Sequence, residues 1–362
     1  MYTGKPILEI NLAKIRSNYK SLVRLCKNSR VAAVVKADGY GIGANEVANE
    51  LEKVGCYDFF VASLDEGINL RKKLEHNIYV LNGAFEDTAR ELYRSNLIPV
   101  LNNLQQIKIW RDIAQTAEEE LECVLHFDIG MNRVGLHDEE INYLINNDDF
   151  LSGIEVKYIM SHLTSSEVES PINMEQLAKF KQYIQHFPTT CYSLANSSGI
   201  FLGEEYHFNL TRPGAALYGL NPLPDKPNPM KNPIKLLAPI MQIKELSDQS
   251  LIGYNGNYAT KRTSTIATLP IGYADGYFRA FSNKGEVYIE GHICPVVGNV
   301  SMDYITVDVT DVPLHRMFLG QYAEIVGDFC TADKIANMVG TIGYEVLTNL
   351  NISNRYKKIY TQ

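Results

Sequence analysis

Lys36 stands in the segment Val34-Val35-Lys36-Ala37-Asp38-Gly39-Tyr40-Gly41, directly after an apolar run at 31–35. Desolvation at the end of a buried strand disfavours an ammonium, and the neutral amine it leaves is a nucleophile toward aldehydes. On position alone, a surface lysine just past a strand explains the same residues. Four other apolar runs also end in polar groups. Asp128-Ile129-Gly130-Met131-Asn132-Arg133 follows one, and Ser161-His162 a second. Ala195-Asn196-Ser197-Ser198-Gly199 and Thr211-Arg212-Pro213-Gly214-Ala215 follow two more. A hydroxyl-rich turn and a glycine turn both offer backbone N–H groups to a phosphate.

These residues need elements that bring them together. Apolar runs at 31–35, 59–62, 78–81, 98–101, 123–127, 158–160, 191–194 and 208–210 read as eight short strands buried on both faces. Helical patterns lie between them or before them, at 12–26, 44–54, 104–117 after the cap Asn103, and 174–187 after the cap Asn173. The alternation predicts a (β/α)8 TIM-type barrel. An open doubly wound sheet is the alternative, but eight regular units suit closure better. A barrel gathers its strand ends at one mouth and often binds phosphate with the loops after strands seven and eight. A reactive lysine beside a phosphate cradle is what pyridoxal phosphate requires.

The texture then changes. Residues 221–233 read NPLPDKPNPMKNP, and five prolines in thirteen residues continue neither a helix nor a central strand. Strand-like segments follow at 234–244, 265–271, 287–289, 305–309 and 323–326, with a helix at 332–339. The expected organisation is a barrel over 9–228 and a mainly β domain over 233–362, with residues 1–8 available to pair with the latter.

The segment VVKADGYGIGA at 34–44 resembles the cofactor-lysine signature of the bacterial alanine racemases. DIGMNRVG, SHLTS, ANSSG, RPGAALYGL, GYNGNY, IGYADGY, VGNVSMDY and TIGYEVLT match that family too, in order and at similar spacing, from about residue 8 onward. The resemblance implies a racemase acting on L-alanine and D-alanine, supplying D-alanine for peptidoglycan. It implies that Lys36 holds pyridoxal phosphate as a Schiff base and that its freed amine serves one face of the α-carbon. Tyr254 would serve the opposite face across a homodimer interface, so that a two-base exchange inverts the centre.

The same resemblance places His162 beside the pyridine ring and Arg212 against the ring nitrogen. Because a guanidinium keeps its proton near neutral pH, that nitrogen would stay unprotonated and the ring would be a weaker electron sink. Tyr40, Asn196, Ser197, Gly214, Ala215 and Tyr344 match cofactor and phosphate contacts, Arg133 and Met302 substrate contacts, and Tyr273 a narrow entrance. The sequence departs from the pattern at His126, where many members have a lysine that becomes carbamylated seven positions before the arginine. Asn299, Ser301, Asn255 and Ile42 also replace common residues.

Composition narrows the field. A net charge of −8 from 34 basic and 42 acidic residues, with no Lys/Arg stripe, points away from nucleic acid and anionic membrane surfaces. The N-terminal residues carry no apolar signal core, and no stretch is long enough to span a bilayer. Six scattered cysteines without a CxxC pair suit a reduced, cytoplasmic protein without a metal centre. Three rival readings remain: a pyridoxal-phosphate decarboxylase, a non-catalytic single-barrel binder, and a racemase of broader substrate range. Against the first stand GYNGNY and SMDY; against the second stands the β domain itself; the third usually carries an export signal, and none is seen.

Overall fold

The computed structural model describes residues 4–188, 190–350 and 355–362. Strand β1 (Ile7–Asn11) precedes helix Leu12–Leu25, whose N-cap Asn11 accepts from the Lys14 N–H. The barrel strands follow: β2 (Arg30–Val31), β3 (Ala33–Val34), β4 (Asp58–Val61), β5 (Asn77–Val80), β6 (Ile98–Leu101), β7 (Leu121–His126), β8 (Ile154–Met160), β9 (Cys191–Ser193) and β10 (Leu210–Thr211). Strands β3 to β9 form one parallel ladder in sequence order. Strand β10 pairs with β2, and Asn209 N–H→Tyr192 O and Arg212 N–H→Ala195 O join β9 to β10. The ring of eight units thus closes, with the first strand broken into β2 and β3 at Ala32. Its interior is packed with Phe60, Tyr79 and Tyr158, whose rings contact one another in sequence.

Several boundaries differ from the sequence reading. Strand β8 begins four residues early, because polar Glu155 still pairs with β7, while Lys157 is bulged out where the register shifts between Cys123 and Val124. Strand eight of the barrel lies at Leu210–Thr211 rather than 208–210, since Phe208 turns to a positive φ of 50°. The helix expected after Asn173 is Pro171–Ile184, capped by Ser170. Asn173 is instead buried inside it and donates to Ser165 O and Val168 O. Proline at the first helical position suits that start.

In the second domain the run at 234–244 is two strands, β11 (Ile234–Pro239) and β12 (Gln242–Leu246), which enter different sheets. After β13 (Leu251–Ile252) and β14 (Tyr258–Ala259) come β15 (Ser264–Leu269), β16 (Glu286–Ile289), β17 (His292–Pro295), β18 (Ile305–Asp308), β19 (Tyr322–Val326) and β20 (Lys357–Thr361). The six-stranded sheet runs β17-β16-β19-β11-β1-β20. Strand β1 therefore belongs to the second domain's sheet, antiparallel to β11 and parallel to β20. Helices Ala332–Val339 and Gly343–Asn349 return the chain to the barrel mouth.

Candidate active site

A cavity of about 1240 Å³ opens at the C-terminal ends of the barrel strands. Lys36, Tyr40, Arg133, His162, Asn196, Ser197, Arg212, Gly214, Ala215 and Tyr344 all line it, as does His126. Ten residues singled out in sequence, spread over 309 positions between Lys36 and Tyr344, converge there.

Lys36 does not continue the strand before it. After Val35, whose N–H still donates to Phe60 O, the backbone winds left-handed through Ala37 (φ 53°), Asp38 (φ 51°), Gly39 (φ 62°) and Tyr40 (φ 55°). Each non-glycine residue in that conformation costs about 1–2 kcal/mol. Such strain persists only where the surroundings over-determine it. Here Gly39 N–H→Val35 O and Gly41 N–H→Ala37 O close the turn, and the Asp38 carboxylate accepts from Ala44 N–H at 2.9 Å. At Gly39 an added Cβ would lie 3.1 Å from the Ala44 nitrogen, so the turn also needs glycine for room. Burial pulls the Lys36 amine below its usual range; Arg133 pulls it further, and Glu66 opposes both.

Arg212 is buried at the floor, where it donates to Ser193 Oγ and, at 2.5 Å, to Ser161 O. Burial brings its guanidinium down to about 10, which still leaves it charged at neutral pH. His162 is pushed down to about 3 by burial, with Arg212 adding to the effect, so it is a neutral imidazole. His126 falls to about 4 for the same two reasons. The Asn102 amide nitrogen donates to Leu81 O and Val100 O, which leaves its Oδ1 as the acceptor 2.8 Å from His126 Nδ1. His126 therefore carries its proton on Nδ1, and Nε2 keeps a lone pair.

The opposite end of the cavity is lined by neutral donors. Ser197 Oγ accepts from Gly214 N–H at 3.0 Å and Ala216 N–H at 3.1 Å, so its own hydroxyl proton is left to donate. Gly214 has no side chain where a Cβ would sit 2.3 Å from the Tyr40 hydroxyl. Burial holds the Tyr40 and Tyr344 phenols above their usual range, and both keep their protons. Tyr344 donates to Glu167 at 3.2 Å. Asn196 faces inward differently: its Oδ1 accepts from Ser166 Oγ and Gly199 N–H, shaping the loop. An amine, a buried cation and a donor-lined pocket fit an aldehyde-bearing ring with a phosphate at one end.

Three predicted residues lie elsewhere. Tyr254, Tyr273 and Met302 are 70%, 43% and 54% exposed on the second domain. They form a second cluster: Tyr273 N–H donates to Ser301 O, Ala274 N–H to Met302 O, and Asn299 Nδ2 to Tyr254 O. None of the three lines the cavity of its own chain. Sequence reasoning missed Asn102, Gln106 and Glu66. Asn102 follows strand β6 as directly as the other polar strand ends do. Glu66 was visible as the last residue of Ser63-Leu64-Asp65-Glu66, a capping-box pattern. Among the described residues, no cluster of His, Cys, Asp and Glu is arranged to hold a metal ion. No described helix is long and apolar enough to cross a membrane.

Comparison with known proteins follows the same division of the chain. The family described as "Alanine racemase, N-terminal domain" matches residues 10–222, and "Alanine racemase, C-terminal domain" matches 234–360. The alanine racemase of Rickettsia canadensis is 56% identical over 358 residues, covering 98% of this chain and 99% of its own. The alanine racemase of Bartonella henselae, solved with covalently bound pyridoxal phosphate, superimposes with a TM-score of 0.94 at 38% identity, over 98% of this chain and 99% of that one. The biosynthetic alanine racemase of Pseudomonas aeruginosa does so with a TM-score of 0.91 at 28% identity, over 99% of both.

Proposed function

This chain belongs to the alanine racemase family, and from that premise we propose how its residues divide the work. It is a pyridoxal-phosphate-dependent isomerase that interconverts L-alanine and D-alanine. When bound, the cofactor supplies an electron sink that makes the α-hydrogen of an attached amino acid acidic.

Lys36 carries the cofactor and then acts as the proton-transfer group on one face of the α-carbon. Its lowered amine supports that reading, because a general base must be free of its proton at working pH. Tyr254 of a second copy acts on the opposite face. Its exposure, together with that of Tyr273 and Met302, supports a homodimer with composite sites, since a reacting group 70% exposed on its own chain needs another surface to close over it. Arg212, still charged at neutral pH, would face the ring nitrogen of the bound cofactor and leave it unprotonated, with His162 beside it as a neutral group. Tyr40, Ser197, Gly214, Ala215 and Tyr344 hold the phosphate, and Asn196 shapes the loop beneath it.

Arg133 and the Met302 backbone take the substrate carboxylate, and Tyr273 narrows the way in. His126, with its lone pair on Nε2, would be a neutral acceptor for Arg133 at the position where the family pattern often has a charged group. The domain boundary is placed between residues 228 and 233, within the proline-rich segment. The enzyme works in the cytoplasm and provides D-alanine for peptidoglycan.

The observation that carries this reading is the strained turn that brings a desolvated Lys36 into one cavity with buried Arg212. The decisive experiment is incubation with L-alanine in deuterium oxide, following chirality and α-deuteration together. Both should change at linked rates. A cofactor-loaded protein that leaves L-alanine unchanged would sink the reading.

A further inference from the structure

Helix Leu64–Arg71 begins with Ser63 at its N-cap and Glu66 three residues on. In the usual capping box the glutamate reaches back to the N-cap N–H. Here it does not. Glu66 Oε2 accepts from Ala62 N–H at 2.7 Å, and Oε1 accepts from Ala37 N–H at 2.7 Å. Ala62 follows strand β4, and Ala37 is the residue after Lys36. One carboxylate thus ties the first left-handed residue of the strained turn to the neighbouring barrel strand. Hydrogen bonds to an ionised acceptor are short and roughly twice as strong as neutral ones.

We propose that Glu66 is a positioning residue for Lys36: it holds the left-handed turn by its two backbone contacts and sets the charge beneath the amine. Two observations converge on it. The turn carries three non-glycine residues at positive φ, so its start needs an anchor outside itself. Burial and Arg133 both disfavour a proton on Lys36, and of these three influences on the amine only Glu66 favours one. A capping carboxylate spent only on its own helix would do neither. Glutamine at 66 keeps one acceptor oxygen, loses the charge, and turns an N–H donor toward a backbone N–H. Aspartate keeps the charge but falls one methylene short of spanning both partners.

The inference rests on the reading that Lys36 carries the cofactor, and the two fail differently. The test uses holoenzymes of wild type, Glu66→Gln, Glu66→Asp and the control Asp65→Asn, whose side chain is exposed on the same helical turn. The pH titration of the bound cofactor's absorption is measured together with kcat and KM. Glu66→Gln should move the titration midpoint down by about one pH unit and lower kcat by about tenfold, with a smaller change in KM. Glu66→Asp should keep the midpoint and still lose kcat, and Asp65→Asn should match wild type. A wild-type midpoint in folded Glu66→Gln overturns the proposal. Should Glu66→Gln not fold, Glu66→Asp decides: wild-type kcat overturns the proposal, and lowered kcat at an unmoved midpoint supports it. If peptide mass mapping of reduced wild-type enzyme finds no cofactor on Lys36, the underlying reading fails instead.

Discussion

The barrel mouth and the exposed face of the second domain carry the two halves of the chemistry in opposite physical states. At the mouth, Arg212 and His126 are buried and hydrogen-bonded, His162 is desolvated, and Lys36 sits on a turn held against strain. On the second domain, Tyr254 and Met302 are more than half exposed on short turns, and Tyr254 begins a three-residue 3-10 turn with Asn255 at a positive φ. The difference teaches that preorganisation is purchased within one chain for the cofactor side only. The other half becomes an active-site wall when a second surface excludes water from it, which is where electrostatic effects gain strength.

Breaking the buried half should have the largest effect. Lys36→Ala should lower racemisation by about 10²–10⁴-fold or more, because both attachment and one proton transfer are lost. Chiral chromatography of alanine after incubation with the purified variant measures it. If the exposed half belongs to a second copy, mixing should repair the damage. After subunit exchange, Lys36→Ala combined with Tyr254→Phe should recover about a quarter of wild-type activity, since half of the dimers are mixed and each holds one intact site. Failure to recover, with exchange proven by mass, would place Tyr254 outside a composite site.

Acid should expose the buried half next. His126 and His162 have folded values near 4 and 3, below the 6.5 of an unfolded histidine. The unfolded chain therefore binds more protons below pH 6.5. The contribution of these groups is fully present above 6.5 and is lost as pH falls toward 4, at about 1.4 kcal/mol per pH unit for each histidine. Urea unfolding midpoints followed across that window should fall steeply, and His126→Gln should flatten the slope. The smallest effect belongs to the exposed half. Tyr254→Phe should leave the unfolding midpoint within about 0.5 kcal/mol of wild type, as surface substitutions usually do, although activity falls. A clear loss of stability would mean that the Tyr254 hydroxyl makes a structural contact in the dimer besides its catalytic one.

The barrel was legible because buried parallel strands are apolar runs and their ends are marked by abrupt polar residues. That is why Lys36, His162, Ser197 and Arg212 could be read as strand-end groups. The second domain was less legible. Its run at 234–244 hides a switch between two sheets, and β20 pairs with β1 across almost the whole chain. Long-range pairing leaves no local signature. The misplaced cap at Asn173 has a similar cause, since asparagine caps helices and also satisfies buried carbonyls, and only tertiary packing chose the second.

By itself the sequence determined which groups are available: a lysine after an apolar run, an arginine and a serine in phosphate-type turns, and a tyrosine in a glycine-rich loop. Those are local choices of residue type, and spacing along the chain is enough to express them. Tertiary structure decided how they act. It set a left-handed turn beneath Lys36, turned Glu66 away from its helix toward Ala37, put the His126 proton on Nδ1 through Asn102, and left Tyr254 outside its own cavity. Each of these depends on which distant groups share a buried, low-dielectric space, and that is a property of the closed barrel rather than of any segment of it.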